Sequence, residues 1–285
     1  MVKQDLMVSI CCTTYNQEQF IAQTMESFLM QITNFKFEIV IGNDCSTDGT
    51  LEVLKKYIEK YPSIVKVITP EKNIGPHYNM IDTVAMCKGK YIALCDGDDY
   101  WTNPHKLQKQ VDFLEQNPDY VMCCHYTRVI DNDDNTLYVD PNPLPLVHTY
   151  SDLLAGRQEE TKTATVVYRN SMAVHQLFQK PWYLKCYAAD KFLKIFATFN
   201  TGGKIYVMPE VMSCYRNHSG GIWSMIKVEA RMEMVISDFN LIIKHFKYRR
   251  IQRLTLLLLY VKRYILFELK RHRIRKAFDT VKYLL

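Results

Sequence analysis

The chain has 285 residues, enough for one large domain or for a domain with an appendage, and its 48% apolar residues can build a sizeable core. This composition excludes a disordered chain. The nine cysteines are odd in number and lack Cys-x-x-Cys spacing, which argues against a structural zinc site and a disulfide scaffold. We expect buried thiols in a reducing compartment. Because no extended apolar stretch opens the chain, we also expect a cytoplasmic protein.

The charge is unevenly distributed along the chain. The net charge is +6, but residues 244–285 hold 13 Lys or Arg and 2 Asp or Glu, a local charge of +11 that leaves −5 elsewhere. This basic region predicts interfacial helices on anionic phospholipid, or a helical region that packs on the rest of the chain or on another subunit. Nucleic acid is disfavoured because the rest of the chain is acidic.

Short apolar runs alternate with segments of helical periodicity between residues 7 and 126, a pattern typical of stacked βα units. The predicted strands are residues 8–12, 37–41, 64–68, 91–95 and 120–126, and the predicted helices are about 19–31, 51–58, 76–86 and 105–115. In a parallel sheet such loops meet at the carboxyl edge. We therefore expect Tyr15, Asp44, Asn73 and Asp96 to share one rim.

The second half of the chain is less regular. We expect a surface excursion over residues 131–156, a strand at 163–168, a helix that begins near Asp190, and short strands at 205–208 and 211–215. The polar, glycine-bearing loop at 216–223 could close over a ligand. The remaining residues are predicted to be helical at 228–246 and 249–276, and no apolar run reaches the roughly 18 residues that span a bilayer.

An acidic stretch, Asp96-Gly97-Asp98-Asp99, follows the fourth predicted strand. Crowded carboxylates are costly unless a cation or hydrogen-bond donors satisfy them, so the stretch predicts a divalent metal beside a phosphate-bearing ligand. A turn rich in aspartate is the alternative. An EF-hand is excluded because Leu107 occupies the twelfth position, and there is no Walker loop or Gly-x-Gly-x-x-Gly.

Four blocks in this order resemble family 2 of the inverting nucleotide-sugar glycosyltransferases, of bacterial polysaccharide type. The blocks are Val8-Ser9-Ile10 with Thr14-Tyr15-Asn16, Asn43 to Thr50, Asn73-Ile74-Gly75 with Asn79, and Asp96-Gly97-Asp98-Asp99, the last being the DXD motif. The resemblance implies an α/β GT-A fold, a Rossmann-like and mostly parallel sheet flanked by helices. It also implies a catalytic domain at 1–225, with nucleotide-sugar binding in 1–125 and the acceptor side and catalytic base in 126–225. A helical basic C-terminal region at 226–285 follows.

Residue roles follow from the resemblance. It implies that Asp44 binds the nucleotide base, that Asp96 lies near the ribose and metal, and that Asp98 ligates Mg²⁺ or Mn²⁺. The other donor-binding candidates are Thr14, Tyr15, Asn16, Asn73 and Asn79. For Asp44 a turn or helix-cap role is the alternative.

The catalytic base is expected on the acceptor side. The resemblance places the base at Asp190, which takes the acceptor proton, with an ordinary N-cap as the alternative. His218 could complete the metal site and Arg216 could pair phosphate oxygens. Four aromatic residues could either contact an acceptor sugar through their ring faces or pack in the core. They are Tyr100, Trp101, Trp182 and Trp223.

The expected function is metal-dependent transfer of a sugar from a nucleoside-diphosphate sugar to a glycan or lipid-linked acceptor in surface polysaccharide synthesis. A UDP-sugar is the favoured donor. We expect it in the cytoplasm, with a peripheral position on the inner face of the membrane as an open possibility. The alternatives are a sugar-phosphate nucleotidyltransferase and a non-catalytic glycan-binding or membrane-binding scaffold. The first lacks the glycine-rich phosphate loop that it would need.

Overall fold

The computed structural model describes residues 6–158, 161–221, 226–271 and 273–275. The helices are α1 (Ile21–Leu29), α2 (Thr50–Lys60), α3 (Pro76–Met86), α4 (Lys106–Gln116), α5 (Tyr150–Leu154), α6 (Met172–His175), α7 (Ala189–Thr201), α8 (Val228–His245), α9 (Arg250–Tyr260) and α10 (Leu266–Lys270). Two 3₁₀ turns cover Thr163–Thr165 and Tyr183–Lys185, and a π-helical segment, Val261–Ile265, joins α9 to α10.

The strands form one mixed sheet. They are β1 (Leu6–Thr14), β2 (Lys36–Asn43), β3 (Val65–Ile68), β4 (Tyr91–Asp96), β5 (Tyr100–Trp101), β6 (Tyr120–Ile130), β7 (Thr136–Tyr138), β8 (Leu146–His148), β9 (Val167–Arg169) and β10 (Lys204–Arg216). Their order is β3-β2-β1-β4-β9-β6-β10-β5, with β7 paired to β6 and β8 paired to β10.

Most of the long strands run in one direction. The pairs β1/β2, β2/β3, β1/β4 and β6/β10 are parallel, whereas β9 lies antiparallel between β4 and β6. The carboxyl ends of β1, β2, β4, β6 and β10 therefore face the same edge, where ligands bind in sheets of this kind. The predicted α/β architecture with a mostly parallel, helix-flanked sheet is confirmed.

Helices cover both faces of the sheet. One apolar core joins α1, α2 and α4 to the sheet through residues such as Phe28, Leu54 and Leu107. The other core joins α3 and α5 to α9, and it contains Phe192 of α7 and Phe246 just after α8. The strands between the two cores are buried on both faces, which explains the uninterrupted apolar runs in their sequences.

Three predicted elements of the second half differ from the structure. The two short strands expected at 205–208 and 211–215 are the single strand β10, whose pairing with β6 shifts register around Pro209, where a proline is tolerated. The strand expected at 163–168 begins as a 3₁₀ turn because Thr165 bonds back to Lys162 through its backbone and its hydroxyl. The excursion at 131–156 contains β7, β8 and α5, the last held by a Thr149/Asp152 capping box.

The C-terminal helices pack on the rest of the molecule. Phe239, Ile242 and Phe246 are buried in the same core as Phe192, and Leu256 of α9 is fully buried. Of the helices in the described residues, none is both long enough and apolar enough to cross a bilayer. All nine cysteines are free thiols, and eight of them are buried.

Candidate active site

The acidic turn after β4 is fastened to β1 and α1. The backbone N–H of Gly97 donates to the carbonyl of Thr13 at 3.0 Å, and the Thr24 hydroxyl lies 2.9 Å from the Gly97 carbonyl and 2.7 Å from that of Asp99. A Cβ at position 97 would meet the Thr14 hydroxyl oxygen at 2.6 Å. The turn therefore needs glycine for close approach to β1.

Asp96 begins the turn and lies between β1 and the Thr163–Thr165 segment. Its carboxylate accepts a hydrogen bond from the Thr13 hydroxyl at 3.2 Å. Burial, followed by the charge of Asp98, raises the pKa of Asp96 to about 7, against hydrogen bonds from Thr13 and Thr163. The charge of Asp190 adds to this rise in pKa, which shows that Asp96 and Asp190 lie within electrostatic range of each other.

Asp98 pairs with His218 from the loop after β10. The Asp98 Oδ2 and His218 Nε2 atoms are 2.9 Å apart, and the imidazole packs edge-on against Phe20. Gly220 N–H donates to His218 Nδ1 at 3.2 Å, which assigns the ring proton to Nε2 in this state. The predicted proximity of Asp98 and His218 is thus present, across 120 residues of sequence.

This pair fits a divalent cation that takes its other ligands from a substrate. Ligand atoms lie about 2.1 Å from Mg²⁺ in an octahedron, so two adjacent ligands are about 3.0 Å apart, which matches the Asp98–His218 separation. Mg²⁺ commonly takes one or two protein ligands beside substrate phosphates and water. Ligation through Nε2 would move the ring proton to Nδ1, and His218 would give up its contact with Gly220.

The Asp96 carboxylate is hydrogen-bonded to Thr13 in this structure. Among the residues that the structure describes, no group of three His, Cys, Asp or Glu side chains is arranged to hold a metal. Asp98 and His218 are in direct contact, whereas the Asp96 carboxylate accepts from Thr13, and the three-residue metal set of Asp96, Asp98 and His218 stays a prediction.

Arg216 lies at the end of β10 and holds the acidic turn through its guanidinium. Its side chain is 1% exposed, and its guanidinium donates to the carbonyls of Asp98, Asp131 and Asn132 at 3.1 to 3.3 Å. It also donates to the side chains of Gln23 and Asp134 at 2.7 and 2.9 Å. These bonds use the guanidinium to hold the acidic turn, and the expectation that Arg216 pairs phosphate oxygens stays a prediction.

Asp99 completes this structural contact. Its Oδ1 accepts from the Arg216 backbone N–H at 2.9 Å, and its buried Oδ2 has no hydrogen-bond partner among the residues that the structure describes. Burial and then the charges of Asp98 and Asp96 raise the pKa of Asp99 well above its ordinary value. Asp99 thus joins the turn to the end of β10, and sequence reasoning gave it no role.

Asp44 organises the loop before α3. Its two carboxylate oxygens accept the backbone N–H groups of Ile74 at 2.7 Å and Gly75 at 2.9 Å, and the Asn73 amide donates to the Asp44 carbonyl at 3.1 Å. Gly75 has φ +86°, a backbone conformation that favours glycine. Asp44 and Asn73 therefore lie together at the carboxyl edge, as the rim hypothesis requires.

The other donor-binding candidates separate into two groups. Tyr15 is exposed, and the exposed Asn16 accepts from Thr47 N–H at 2.8 Å, which ties the loop after β1 to the loop after β2. Thr14 is buried beside Gly97. Asn79 is also buried and donates to the Gly42 carbonyl at 2.8 Å, which joins α3 to β2, and its expected contact with the donor stays a prediction.

Asp190 is the second residue of α7, and Ala188 occupies the cap position, so the N-cap alternative does not apply. Lys194, one turn later and 1% exposed, donates to Asp190 Oδ2 at 2.9 Å and to the Thr161 carbonyl at 2.9 Å. Burial acts to raise the pKa of Asp190, but the Lys194 ammonium outweighs it and the net shift is downward. Asp190 is consequently an ionised carboxylate, about a third exposed, at neutral pH.

Two residues of this region were missed by sequence reasoning. Lys194 follows Asp190 by four positions, and that spacing on a helix was the signal. Asp238 of α8 is 2% exposed and accepts the N–H groups of Tyr187 and Ala188 at 2.8 and 3.0 Å, just before Asp190. No local pattern marks Asp238, since its partners lie 50 residues away.

The aromatic candidates for the acceptor side are mostly packed. Trp101 is 1% exposed and its indole donates to the Ala164 carbonyl at 2.9 Å, so of its two expected roles it has core packing. Tyr100 lies beside Arg216, and Trp182 stacks on His245 at 5.2 Å. Trp223 lies outside the described residues.

The fold defines a class of proteins. The structure is similar to that of S. aureus TarS in complex with UDP-GlcNAc, with TM-score 0.68, 20% identity and coverage of 98% of this chain and 82% of that chain. It is also similar to the mannosyltransferase PcManGT from Pyrobaculum calidifontis in complex with GDP-Man and Mn²⁺, with TM-score 0.66, 15% identity and coverage of 96% and 74%. The fold is that of the GT-A glycosyltransferases.

Sequence comparison gives the family. A sequence profile described as "Glycosyl transferase family 2" matches residues 9–179, more than half of the chain, and the chain belongs to this family. An uncharacterised Mycobacterium tuberculosis protein is 36% identical over 229 residues, 79% of this chain and 62% of the relative. TuaG of Bacillus subtilis, named for teichuronic acid biosynthesis, is 35% identical over 108 residues, 38% of this chain and 42% of TuaG. The chain thus spans less than two thirds of these relatives.

Proposed function

We propose that this protein is a metal-dependent inverting glycosyltransferase that moves a sugar from a nucleoside-diphosphate sugar to a hydroxyl group. One observation carries the proposal. The pair Asp98 and His218 can hold a cation, the ionised Asp190 can accept a proton, and the charges of Asp98 and Asp190 both raise the pKa of Asp96, so both carboxylates lie within electrostatic range of Asp96. Family membership and the GT-A fold support this proposal.

The donor is proposed to bind across the carboxyl ends of β1, β2 and β4. Asp44 and Asn73 would hold the nucleotide base, with exposed Tyr15 available to contact the nucleoside, because they border the same loops. Asp96, with a pKa near 7, would contact the ribose. Uridine is the expected nucleoside, in line with TarS, which binds UDP-GlcNAc, although PcManGT binds GDP-Man.

The diphosphate is proposed to bind beside Asp98 and His218. A divalent cation held there would supply positive charge next to the departing diphosphate. Arg216 keeps the Asp98 backbone in place, since its guanidinium donates to the Asp98 carbonyl at 3.2 Å. PcManGT, which binds GDP-Man and Mn²⁺, supports the need for a cation.

The base is proposed to be Asp190. An inverting transfer requires a carboxylate that takes the proton of the attacking hydroxyl on the side opposite the leaving group. Lys194 keeps Asp190 ionised and fixes its direction through the 2.9 Å contact. The acceptor is proposed to be a glycan or a lipid-linked saccharide of surface polysaccharide synthesis, as the name of TuaG suggests, used at the inner face of the membrane.

The experiment measures donor hydrolysis, in which water takes the place of the acceptor, for a panel of UDP-, GDP- and dTDP-sugars with Mn²⁺ or Mg²⁺. Asp190→Asn is expected to lower the hydrolysis rate about a hundredfold and to leave UDP affinity with Mn²⁺ unchanged by calorimetry. Asp98→Ala is expected to lose the dependence of UDP affinity on Mn²⁺. Asp112→Asn, an exposed aspartate of α4, is the matched control.

Two outcomes would contradict the proposal. If Asp190→Asn hydrolyses the donor at the rate of the unmodified protein, Asp190 is not the base. If no nucleotide sugar is hydrolysed and neither UDP nor GDP binds in the presence of Mn²⁺, the protein is not a glycosyltransferase of the proposed type.

A further inference from the structure

Helix α9 carries apolar residues on two faces. Leu256 is fully buried against the core. On the outward face, Ile251 is 75% exposed, Leu254 is 54% exposed, Leu258 is 60% exposed, and Val261 at the start of the π-helical segment is 42% exposed. The spacing of three, four and three residues places these four side chains on one stripe about 15 Å long. We refer to Ile251, Leu254, Leu258 and Val261 as the outer stripe.

In the described part of the chain, the outer stripe lies outside the hydrophobic core. The inward residues of α8 and α9, such as Phe239 and Leu256, already fill the core next to α7. Large apolar side chains that lie together in solvent mark a surface for a partner or a membrane. The stripe therefore requires an occupant outside the described part of the chain.

The local charge favours an anionic membrane over a second copy of the chain as the partner of the outer stripe. The stripe lies within residues 244–285, where the charge is +11, and Lys247, Arg249 and Arg250 at the start of α9 are exposed. A second copy packed stripe to stripe would bring two such basic regions together, and their repulsion opposes that contact. An anionic phospholipid surface accepts both the apolar stripe and the exposed cations at the start of α9.

We infer that the outer stripe of α9 rests in the interface of an anionic bilayer, with the axis of α9 parallel to the membrane plane. This inference rests on the membrane location proposed above and adds the surface that makes the contact. The four exposed side chains of the outer stripe are enough for shallow insertion of a short helix into the bilayer interface. This agrees with the finding that none of the described helices can span a bilayer. The inward face of α9 remains packed on the catalytic part.

The experiment is sedimentation of the full-length protein with vesicles of phosphatidylcholine alone, or mixed with phosphatidylglycerol, at low and high salt. Leu254→Gln/Leu258→Gln is expected to lower binding to the anionic vesicles about tenfold. Ile32→Gln/Leu137→Gln replaces two apolar residues of equal exposure, 59% and 54%, elsewhere on the surface and is expected to bind normally. Lys247→Gln/Arg250→Gln is expected to lose the preference for phosphatidylglycerol.

The readouts separate this inference from the proposed activity. Donor hydrolysis by each variant reports on the active site, and circular dichroism reports on folding, independently of vesicle binding. Equal binding by Leu254→Gln/Leu258→Gln and the unmodified protein would overturn the inference, as would equal binding to both vesicle types. A dimer by light scattering that the stripe variant abolishes, without vesicle binding, would assign the stripe to a second copy and also overturn it.

Discussion

The Asp238 carboxylate of α8 accepts the backbone N–H of Ala188, the residue that precedes α7, at 3.0 Å. It also accepts the N–H of Tyr187 at 2.8 Å. The proposed base, Asp190, follows two residues after Ala188. A C-terminal helix thus fixes the segment from which the proposed base projects, and Asp238 is a positioning residue for Asp190.

Asp238→Asn is expected to lower the rate constant of donor hydrolysis about tenfold, because an amide offers one acceptor atom where a carboxylate offers two and so leaves one backbone N–H unpaired. The affinity for UDP with Mn²⁺ is expected to stay unchanged, since the donor residues lie on other elements. Glu233→Gln on the same helix changes a carboxylate that forms a surface ion pair with Arg273, and it serves as the control. A loss of UDP affinity in Asp238→Asn would argue for a general folding defect.

Lys194→Met is expected to shift the pH dependence of donor hydrolysis. Burial raises the pKa of Asp190 and Lys194 lowers it by more, so removal of the ammonium raises the pKa. The base then becomes protonated at a higher pH, and the acidic limb of the pH–rate profile moves upward in pH. Lys185→Met removes the same charge from an exposed site nearby and is expected to leave the profile in place. An unchanged profile in Lys194→Met would contradict the assigned role.

Arg216→Met is expected to lower the free energy of unfolding by about 2 to 4 kcal/mol, since the buried guanidinium and its five part-buried hydrogen-bonding contacts with the protein are lost. Urea denaturation measures this change. An arginine that bound only phosphate would alter donor affinity and leave the stability unchanged. Unaltered stability in Arg216→Met would therefore favour the phosphate-binding role.

His218→Ala is expected to weaken the apparent affinity for Mn²⁺ in the presence of UDP by about tenfold or more, because one of two protein ligands is lost. Calorimetric titration of Mn²⁺ into the UDP-saturated protein measures the change. His105→Ala is the control. His105 is an exposed histidine at the start of α4, and it lies far from His218 along the chain. Equal Mn²⁺ affinity in His218→Ala would exclude this histidine from the metal site.

Lys106 makes the stability depend on pH. The side chain is fully buried with its Nζ 4.0 Å from the Trp101 ring centroid, and burial lowers its pKa from 10.5 to about 7. Above pH 7 the unfolded chain binds a proton that the folded chain has released, so the unfolding free energy rises by up to about 1.4 kcal/mol per pH unit.

Lys106→Met is expected to be more stable near pH 7 and to show a smaller rise in unfolding free energy between about pH 7 and pH 9. The measurement is urea denaturation at several pH values. Lys56→Met, an exposed lysine of α2, is expected to keep the slope of the unmodified protein. Equal slopes for Lys106→Met and the unmodified protein would show that Lys106 stays protonated in the folded state.

Local patterns in the sequence predicted the first half of the fold well. The strand that ends in Asp96 and the helix that begins at Pro76 are present as expected, because burial and proline position are local properties. The sheet order was beyond such patterns. The antiparallel β9 separates β4 from β6, and its three residues carry no sign of the partner strands.

The candidate site also has one part that sequence motifs predict and one part that they do not. The acidic turn and Asp190 were identified through motifs, whereas the actual contacts of Arg216 and Asn79 depend on which face of the sheet they meet. Arg216 is 118 residues from Asp98 in sequence, and a polar residue after a strand gives no indication of whether its guanidinium turns inward or outward. The contacts of both Arg216 and Asn79 depend on burial, which is a property of the packed fold.

Since Phe239 and Phe246 lie in the core beside Phe192, the helices after residue 226 share their hydrophobic interior with the helix of Asp190. A chimera that joined the first 225 residues to the C-terminal region of a relative would have to match that interior as well as the Asp238 contact. Exchange of segments among family members should therefore keep α7 and α8 together from one parent. Relatives that differ in membrane attachment are expected to vary on the outward side of α9, where substitutions leave the shared core undisturbed.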